Sequence, residues 1–466
     1  MNFLFWLKKA VRQMFSAKTI PDAPDLAVSD KMANAITAWL LAFYQQPSWL
    51  EHGVRVSNLP ITITEYMATL ACNEIALDAG DSARGKWVTE QIERFFVPHM
   101  NNAVQLAGAG GRVIVKPYVE GQNILCDIVP ADRFYPQRVS GSGMTTAGFF
   151  TDFAMLHGRK VVRVERFDLQ SDGLHLSNRA YYYGFGDNLA GEIALTDVPE
   201  WANLVPDLTI TGVDRPLFAE LKMPFANTVD ETSRLPISLY ARAMDTICEL
   251  DRIYSEFLYE VHSGKRKRIV DRDAIRSDDK GHGVPFRDLT TDLYLTMELD
   301  GTNMKPFEDY TPDIRVDAYQ KALDMQCRML ESQTGFSPGT FNFDIMQGRM
   351  TATQVVSDDR NTYNTIHAIQ DRGLKQGLKD LIYCYDVYGT LYSLAPAGEI
   401  HPAVTFGDSI FEDTATEFAR QKMLVDGGYL KPEKFISWYF GVDEAAAGEY
   451  MPAQPVRDPF GFGGNG

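Results

Sequence analysis

The chain has 466 residues, 45 Lys and Arg against 62 Asp and Glu, a net charge of −17, and 45% apolar residues. One hydrophobic core stops growing near 250–300 residues, so two or more packed regions are expected. The composition is that of a globular protein, not a disordered or fibrous one, and no stretch approaches the roughly 20 consecutive apolar residues of a membrane span.

The segment Met1 to Phe15 has an apolar run, Phe3 to Leu7, that is too short for a secretory signal. Its basic residues Lys8, Lys9 and Arg12 follow that run instead of preceding it, so secretion is not expected. Residues 30–107 read mostly as helix, with Ile36, Leu40 and Phe43, then Tyr66, Leu70 and Ile75, at helical spacing and breaks at Pro47 and Pro60. From Gly108 the period changes. Arg112 to Val119 and Asn123 to Val129 alternate around Glu120-Gly121-Gln122, and Val161 to Phe167 and His175 to Tyr183 do so around Ser171-Asp172-Gly173. Residues 108–200 are therefore expected to form a mostly antiparallel sheet with one face on the preceding helices.

After Pro236, suited to a first helical turn, Tyr240, Ala243, Ile247, Leu250, Tyr254, Phe257 and Val261 step by 3 and 4. That seam has a period of about 3.5, as used between long packed helices. Asp245, Glu249, Arg252, Glu256 and Glu260 form a second, mainly acidic stripe, and Gly264 stops the helix. Lys265-Arg266-Lys267-Arg268 lead into a short β region with strand candidates at Lys267 to Val270 and Leu293 to Leu299. A second helix over about Ile314 to Gln333 returns with Val316, Tyr319, Leu323, Cys327 and Leu330 on one side. The sum is an antiparallel helix pair with a small module at its tip. Thr334 to Met350, rich in Gly, Phe and Pro, reads as a loop. From Thr351 to about Leu394 a long helix is expected, weakened by about 1 kcal/mol at each of Gly373, Gly377 and Gly389. Short helices over 409–450 and a disordered tail from Met451 complete the reading.

Candidate chemistry is sparse. Gly80 to Lys86 fits GxxxxGK, but Trp87 stands where a Ser or Thr would hold Mg²⁺, and the loop reads as following a helix, so a helix–helix turn is the better reading. Gly108-Ala109-Gly110-Gly111 lies between a helix and a strand, the reverse of the dinucleotide-binding order, and reads as a left-handed helix cap. No His pair at i, i+4, HExxH or GxSxG occurs. Asp408, Glu412 and Asp413 read as a solvated helix start rather than a metal site. Cys72, Cys126, Cys248, Cys327 and Cys384 are scattered, as buried thiols in a reducing compartment would be. Lys265 to Arg268 suit either an acidic partner or the negative end of the helix before them. No catalytic residue, cofactor site or metal site is expected, and the protein is read as not an enzyme. The acid excess argues against gripping nucleic acid by charge alone, which leaves room for a protein that lets nucleic acid slide past.

Several stretches, in order along most of the chain, resemble the portal proteins of tailed bacteriophages, especially the long-tailed siphophage type. They are MATLACNEIALDAG (67–80), GRVIVKPYV (111–119), DIVPADRFYP (127–136), LFAELKMPFANTVD (217–230), ARAMDTICELDRIYSEFLYEVHSGKRKRIV (241–270), TGFSPGTFNFD (334–344), MTATQVVSDDRNTYNTIHAIQ (350–370) and FGDSIFEDTATEFARQKMLVDGGYLKPEKFI (406–436). One departure is Pro236-Ile237-Ser238, where such proteins usually carry Gly before the hydrophobic–Ser pair.

The resemblance implies an α+β portal-type fold. Residues 1–235 would be the N-terminal wing, 236–263 the first stem helix, 264–312 the β-containing clip and 313–333 the second stem helix. Residues 334–350 would be the tunnel loop, 351–395 the long helix of wing and crown, 396–450 the C-terminal wing and crown helices, and 451–466 a disordered tail. It further implies a homo-oligomeric ring, typically of twelve subunits, at one capsid vertex of a virion assembled in the host bacterial cytoplasm. Double-stranded DNA would be packaged and ejected through it. Its partners would be the terminase large subunit, whose ATPase is the motor, the major capsid and scaffolding proteins, and a head-completion adaptor, with no membrane. Gln347, Arg349 and Met350 would face DNA; Lys265, Arg266, Lys267 and Arg268 would meet partners at the clip. Tyr240, Ile247, Leu250, Tyr254, Phe257 and Val261 would pack the stem. Other readings are a different capsid or tail-connector protein, or a nucleotide-binding enzyme using Gly80 to Lys86. Twelve copies at −17 each would repel the phosphates they conduct, whereas a ring of ordered cations would hold DNA too tightly for it to move.

Overall fold

The computed structural model describes residues 26–141, 143–183, 189–264, 267–271, 294–297, 307–310, 313–341, 360–407, 414–440 and 447–450. The protein is α+β, with helices and mostly antiparallel sheets. Helix α1 (Asp30–Phe43) starts at Ser29, whose hydroxyl accepts from the Met32 amide, and Asp30 favours the positive end of the helix dipole. Its residues Met32, Ile36, Trp39 and Leu40 are buried on one face. Helix α2 (Leu59–Ala71) follows, then α3 (Ala83–Phe95) and α4 (Val97–Gly110).

The expected run of helix over 30–107 is interrupted by a strand, β1 (Ile75–Asp78). Glu74, at φ 52, turns the chain out of the helix, and β1 pairs antiparallel with β14 (Ala403–Phe406), more than 300 residues away. That pairing gives no local signal, so Ile75 reads as the next step of a helix. Helix α4 ends as expected on a left-handed glycine, Gly111 at φ 84. A Cβ there would sit 2.6 Å from the Pro236 carbonyl, and Met223 donates its amide to the Gly111 carbonyl.

The β region is two sheets, not one. The hairpin β2 (Arg112–Glu120) and β3 (Asn123–Pro130) forms a three-stranded sheet with β10 (Ala219–Lys222). The second sheet contains β4 (Phe134–Val139), β5 (Thr145–Leu156), β6 (Arg159–Gln170), β7 (Gly173–Tyr183), β8 (Leu189–Ile193) and β9 (Asp207–Ile210). Alternation along β2 divides the core. Val113 and Val115 face the helices, while Ile114 joins Phe134, Phe150, Phe167 and Phe218 between the sheets. Lys116 donates to Glu165 on β6 at 2.7 Å and so ties the sheets together.

The long helix over 360–391 is α7 (Arg360–Ala368), a π-helical stretch Ile369–Leu374 and α8 (Lys375–Leu391). Its glycines have a packing reason. A Cβ on Gly373 would lie 2.3 Å from the Lys222 carbonyl, and one on Gly377 2.2 Å from that of Glu220. The helix therefore lies against the outer edge of β10, an edge that would otherwise be open to pairing. Helices α9 (Thr414–Asp426) and α10 (Pro432–Phe440) follow, as the short-helix expectation for 409–450 requires. Residues 351–359, the Asp408–Asp413 cluster and the tail from Met451 lie outside the described residues.

Candidate functional site

The segment that distinguishes this chain is an antiparallel helix pair, α5 (Met244–Ser263) and α6 (Val316–Thr334). Helix α5 does not start after Pro236. Residues 236–240 make a turn in which Ser238 donates to the Gly108 carbonyl and Leu239 donates its amide to the same group. A 3₁₀ turn, Ala241–Ala243, leads into Met244. Tyr240 thus precedes the helix, fully buried, with its hydroxyl donating to the Trp39 carbonyl at 2.8 Å. It anchors the hairpin to α1 and is not a rung of the seam.

Within the seam, Ile247 and Leu250 are buried against Cys327 and Leu330, and the Phe257 and Tyr319 rings lie 5.6 Å apart. Tyr254 and Val261 are 37% and 36% exposed, so the seam is sealed near its base and open toward its tip. Thr246 donates to Gln333 at 2.8 Å near the base. Near the tip Glu260 accepts from the Arg315 amide at 2.8 Å, from the Arg315 guanidinium, and from the Tyr319 hydroxyl at 2.9 Å. The Arg315 side chain and amide hold the Glu260 carboxyl down to about 2.

Beyond this clasp lies the β insert. Strand β11 (Lys267–Asp271) pairs parallel with β12 (Tyr294–Met297) and antiparallel with β13 (Phe307–Tyr310). The first two strands match expectation; β13 carries no alternation the sequence reading picked out. Lys267 and Arg268 sit in the central strand β11, opposite Tyr310 and Asp309. Lys265, Arg266 and the loop residues Gln347, Arg349 and Met350 lie outside the described residues.

Two carboxylates that the sequence reading passed over hold loops to this hairpin. Asp251, 2% exposed on α5, accepts from the Trp49 indole at 2.8 Å and from the Ser57 amide at 2.8 Å. Glu331, 1% exposed on α6, accepts from the Gly339 and Phe341 amides at 2.9 and 2.8 Å. Glu331 thereby orders the turn at the start of the 334–350 stretch. Ser337 and Thr362 bond reciprocally across that turn, and Phe336, Phe341 and Tyr66 pack edge to face beneath it. Sequence position does not single them out: Asp317 and Asp324 likewise follow seam residues, yet neither is buried.

Gly80 to Lys86 follows strand β1, which corrects the expected helix–helix turn. Three of its amides are nonetheless committed. Gly80 donates to Asp78, Gly85 to the Ser82 hydroxyl and Lys86 to the Ser82 carbonyl, while the His401 backbone packs 3.3 Å from where a Gly80 Cβ would stand. The segment caps α3. No group of three or more His, Cys, Asp or Glu among the described residues is placed to hold a metal. All five cysteines are free thiols, and burial pushes Cys72 and Cys126 up to about 12. A cleft of about 510 Å³ between β10 and the π-helical stretch is lined by Arg215, Glu220, Lys222, Arg372 and Asp380. Its charges are mostly paired within it: Arg215 with Asp380 and Lys222 with Glu220.

No protein-family model and no curated protein matches the chain. Among solved structures it is similar to a chain in the virion of a native gene transfer agent (GTA) particle, at 10% identity and TM-score 0.44, covering 93% of this chain and 99% of that one. It is also similar to a chain in the neck of the native GTA particle computed with C12 symmetry, at 11% identity and TM-score 0.41, covering 85% and 93%. A third is in the neck of the empty GTA particle computed with C6 symmetry, at 11% identity and TM-score 0.44, covering 94% and 99%.

Proposed function

We propose that the chain is the portal subunit of a tailed bacteriophage, a non-enzymatic ring protein through which double-stranded DNA enters and leaves the capsid. The observation that carries this reading is the hairpin α5–α6 with a three-stranded β insert at its tip, in the order the sequence resemblance implies. Its outer surfaces are unburied in a single chain: Tyr259, Val316, Met325 and Met329 are 74%, 47%, 67% and 51% exposed. A two-helix projection with an open seam gains most of its burial from further copies.

In this reading the helix-and-sheet body formed by residues 26–235 and the long helix is the wing, α5 and α6 are the stem, and the insert is the clip that meets terminase and then the adaptor. The turn ordered by Glu331 is the root of the tunnel loop, whose Gln347, Arg349 and Met350 approach the duplex. A net charge of −17 per copy keeps the ring from binding DNA tightly, as a conduit driven by a separate ATPase requires. The virion is its site of action.

Negative-stain electron microscopy of the purified protein tests the reading. Class averages should show rings with a central hole wide enough for a duplex. A monomer or dimer at all concentrations, with and without capsid partners, would overturn it.

A further inference from the structure

The two outward faces of the hairpin place unlike charges opposite each other at two heights, although exposed Asp317 shares the α6 face and Arg252 the α5 face. On α5, Glu249 and Glu256 point away from α6 and are exposed; on α6, Lys321 and Arg328 point away from α5 and are also exposed. Each pair is one heptad apart, about 10 Å at 1.5 Å per residue. Among the described residues neither Lys321, Arg328 nor Glu256 is in an ion pair, while Glu249 touches Arg252 of its own helix. Beside the two cations run Ala318, Ala322, Met325 and Met329, spaced 4, 3 and 4, with both methionines more than half exposed.

The intrachain contacts set which residues share a height. Thr246 meets Gln333, Phe257 meets Tyr319, and Glu260 meets Arg315 and Tyr319. On that antiparallel scale Glu249 stands level with Arg328, and Glu256 level with Lys321. Rotation about a ring axis along the hairpin moves a copy sideways without changing height. The α6 face of one copy then meets the α5 face of the next with unlike charges opposed at both steps. Asp245, one turn nearer the base, stands level with the uncharged Ser332, so the match is confined to the two middle steps.

We infer that these faces form the head-to-tail stem interface between neighbouring copies of this chain: Lys321 and Arg328 opposite Glu256 and Glu249 of the next copy, with Met325 and Met329 buried between them. Resting on the ring reading above, the inference adds which faces meet and in what register. Such a contact is heterologous, so it propagates beyond a dimer and makes a ring where the rotation between copies closes.

Complementary charge reversal tests it. One variant carries Glu249→Lys with Glu256→Lys, the other Lys321→Glu with Arg328→Glu; all four sites are exposed, and circular dichroism checks that both fold. Each variant alone should raise the concentration for half-assembly about tenfold at low salt, measured by mass photometry, with the gap narrowing in 1 M salt. Mixed in equal amounts they should co-assemble into alternating rings near the wild-type concentration, because each reversed face then meets an unlike one. If wild-type rings form but both variants assemble as well as wild type, or the mixture gains nothing over either alone, the register is wrong while the ring reading stands. If the wild type forms no ring, both fall.

Discussion

Single residues on this hairpin differ sharply in what they hold. Asp251 is buried and takes donors from Trp49 and Ser57, so Asp251→Ala strands those groups without an acceptor. We expect it to cost about 3 kcal/mol in urea unfolding, against about 0.5 kcal/mol or less for Glu249→Ala on the exposed stripe. Glu260 offers a pH test. Its folded carboxyl is held near 2 against an ordinary 4.5, so its contribution is complete above about pH 4.5 and disappears as pH falls through 2. The thermal stability of wild type and Glu260→Gln should therefore differ above that range and converge at its acid end. The acidic stripe was legible as a whole. What separated its members was not, because period alone assigns Glu249 and Glu260 to one face. Only the return of Arg315 makes Glu260 a clasp.

At the level of elements, hairpins and seam helices were readable because their contacts are local or regularly periodic. The turns around Gly121 and Gly173 fix two strand pairs, and the 3–4 spacing marks α5 and α6. Strand β1 gives no local signal because its partner is remote, and Tyr240 continues the seam spacing, so the sequence points to a helix from Pro236 where the fold starts α5 at Met244. The glycines of the long helix read as weak points, whereas the fold uses Gly373 and Gly377 for contact with β10 and Gly389 for contact with Trp87 and Ala395. We expect Gly377→Ala to destabilise by about 2 kcal/mol in urea unfolding, since the clash with the Glu220 carbonyl outweighs about 1 kcal/mol of helix propensity. A stabilised variant would show that this packing is looser than the structure has it.

For the whole molecule, the main core runs from the body into the base of the hairpin through Ile247, Leu250, Cys327 and Leu330, while the outer faces of the hairpin stay open, so in the proposed ring assembly is the step at which the hairpin completes its burial. In the proposed portal, the β insert acts at the scale of the particle. Reversing the charge of Lys265, Arg266, Lys267 and Arg268 should leave ring assembly unchanged and weaken docking of terminase or the adaptor, read by co-sedimentation. Packaging at the wild-type rate by that mutant would remove the clip from partner binding.

By itself the sequence determined the order of the parts: helices, sheet, seam helix, β insert, returning seam helix and long helix. Each is written in local periodicity and turn chemistry, which act over a few residues. It also determined the absence of a legible catalytic motif and the acidic balance. Only the tertiary structure decided the division of the β region into two sheets, the β1–β14 pairing, the Asp251 and Glu331 anchors, and the register that places Glu249 level with Arg328. Those depend on which distant segments meet. A buried acid and an exposed one, or a helical glycine that packs and one that merely weakens, are the same letters until the chain is closed around them.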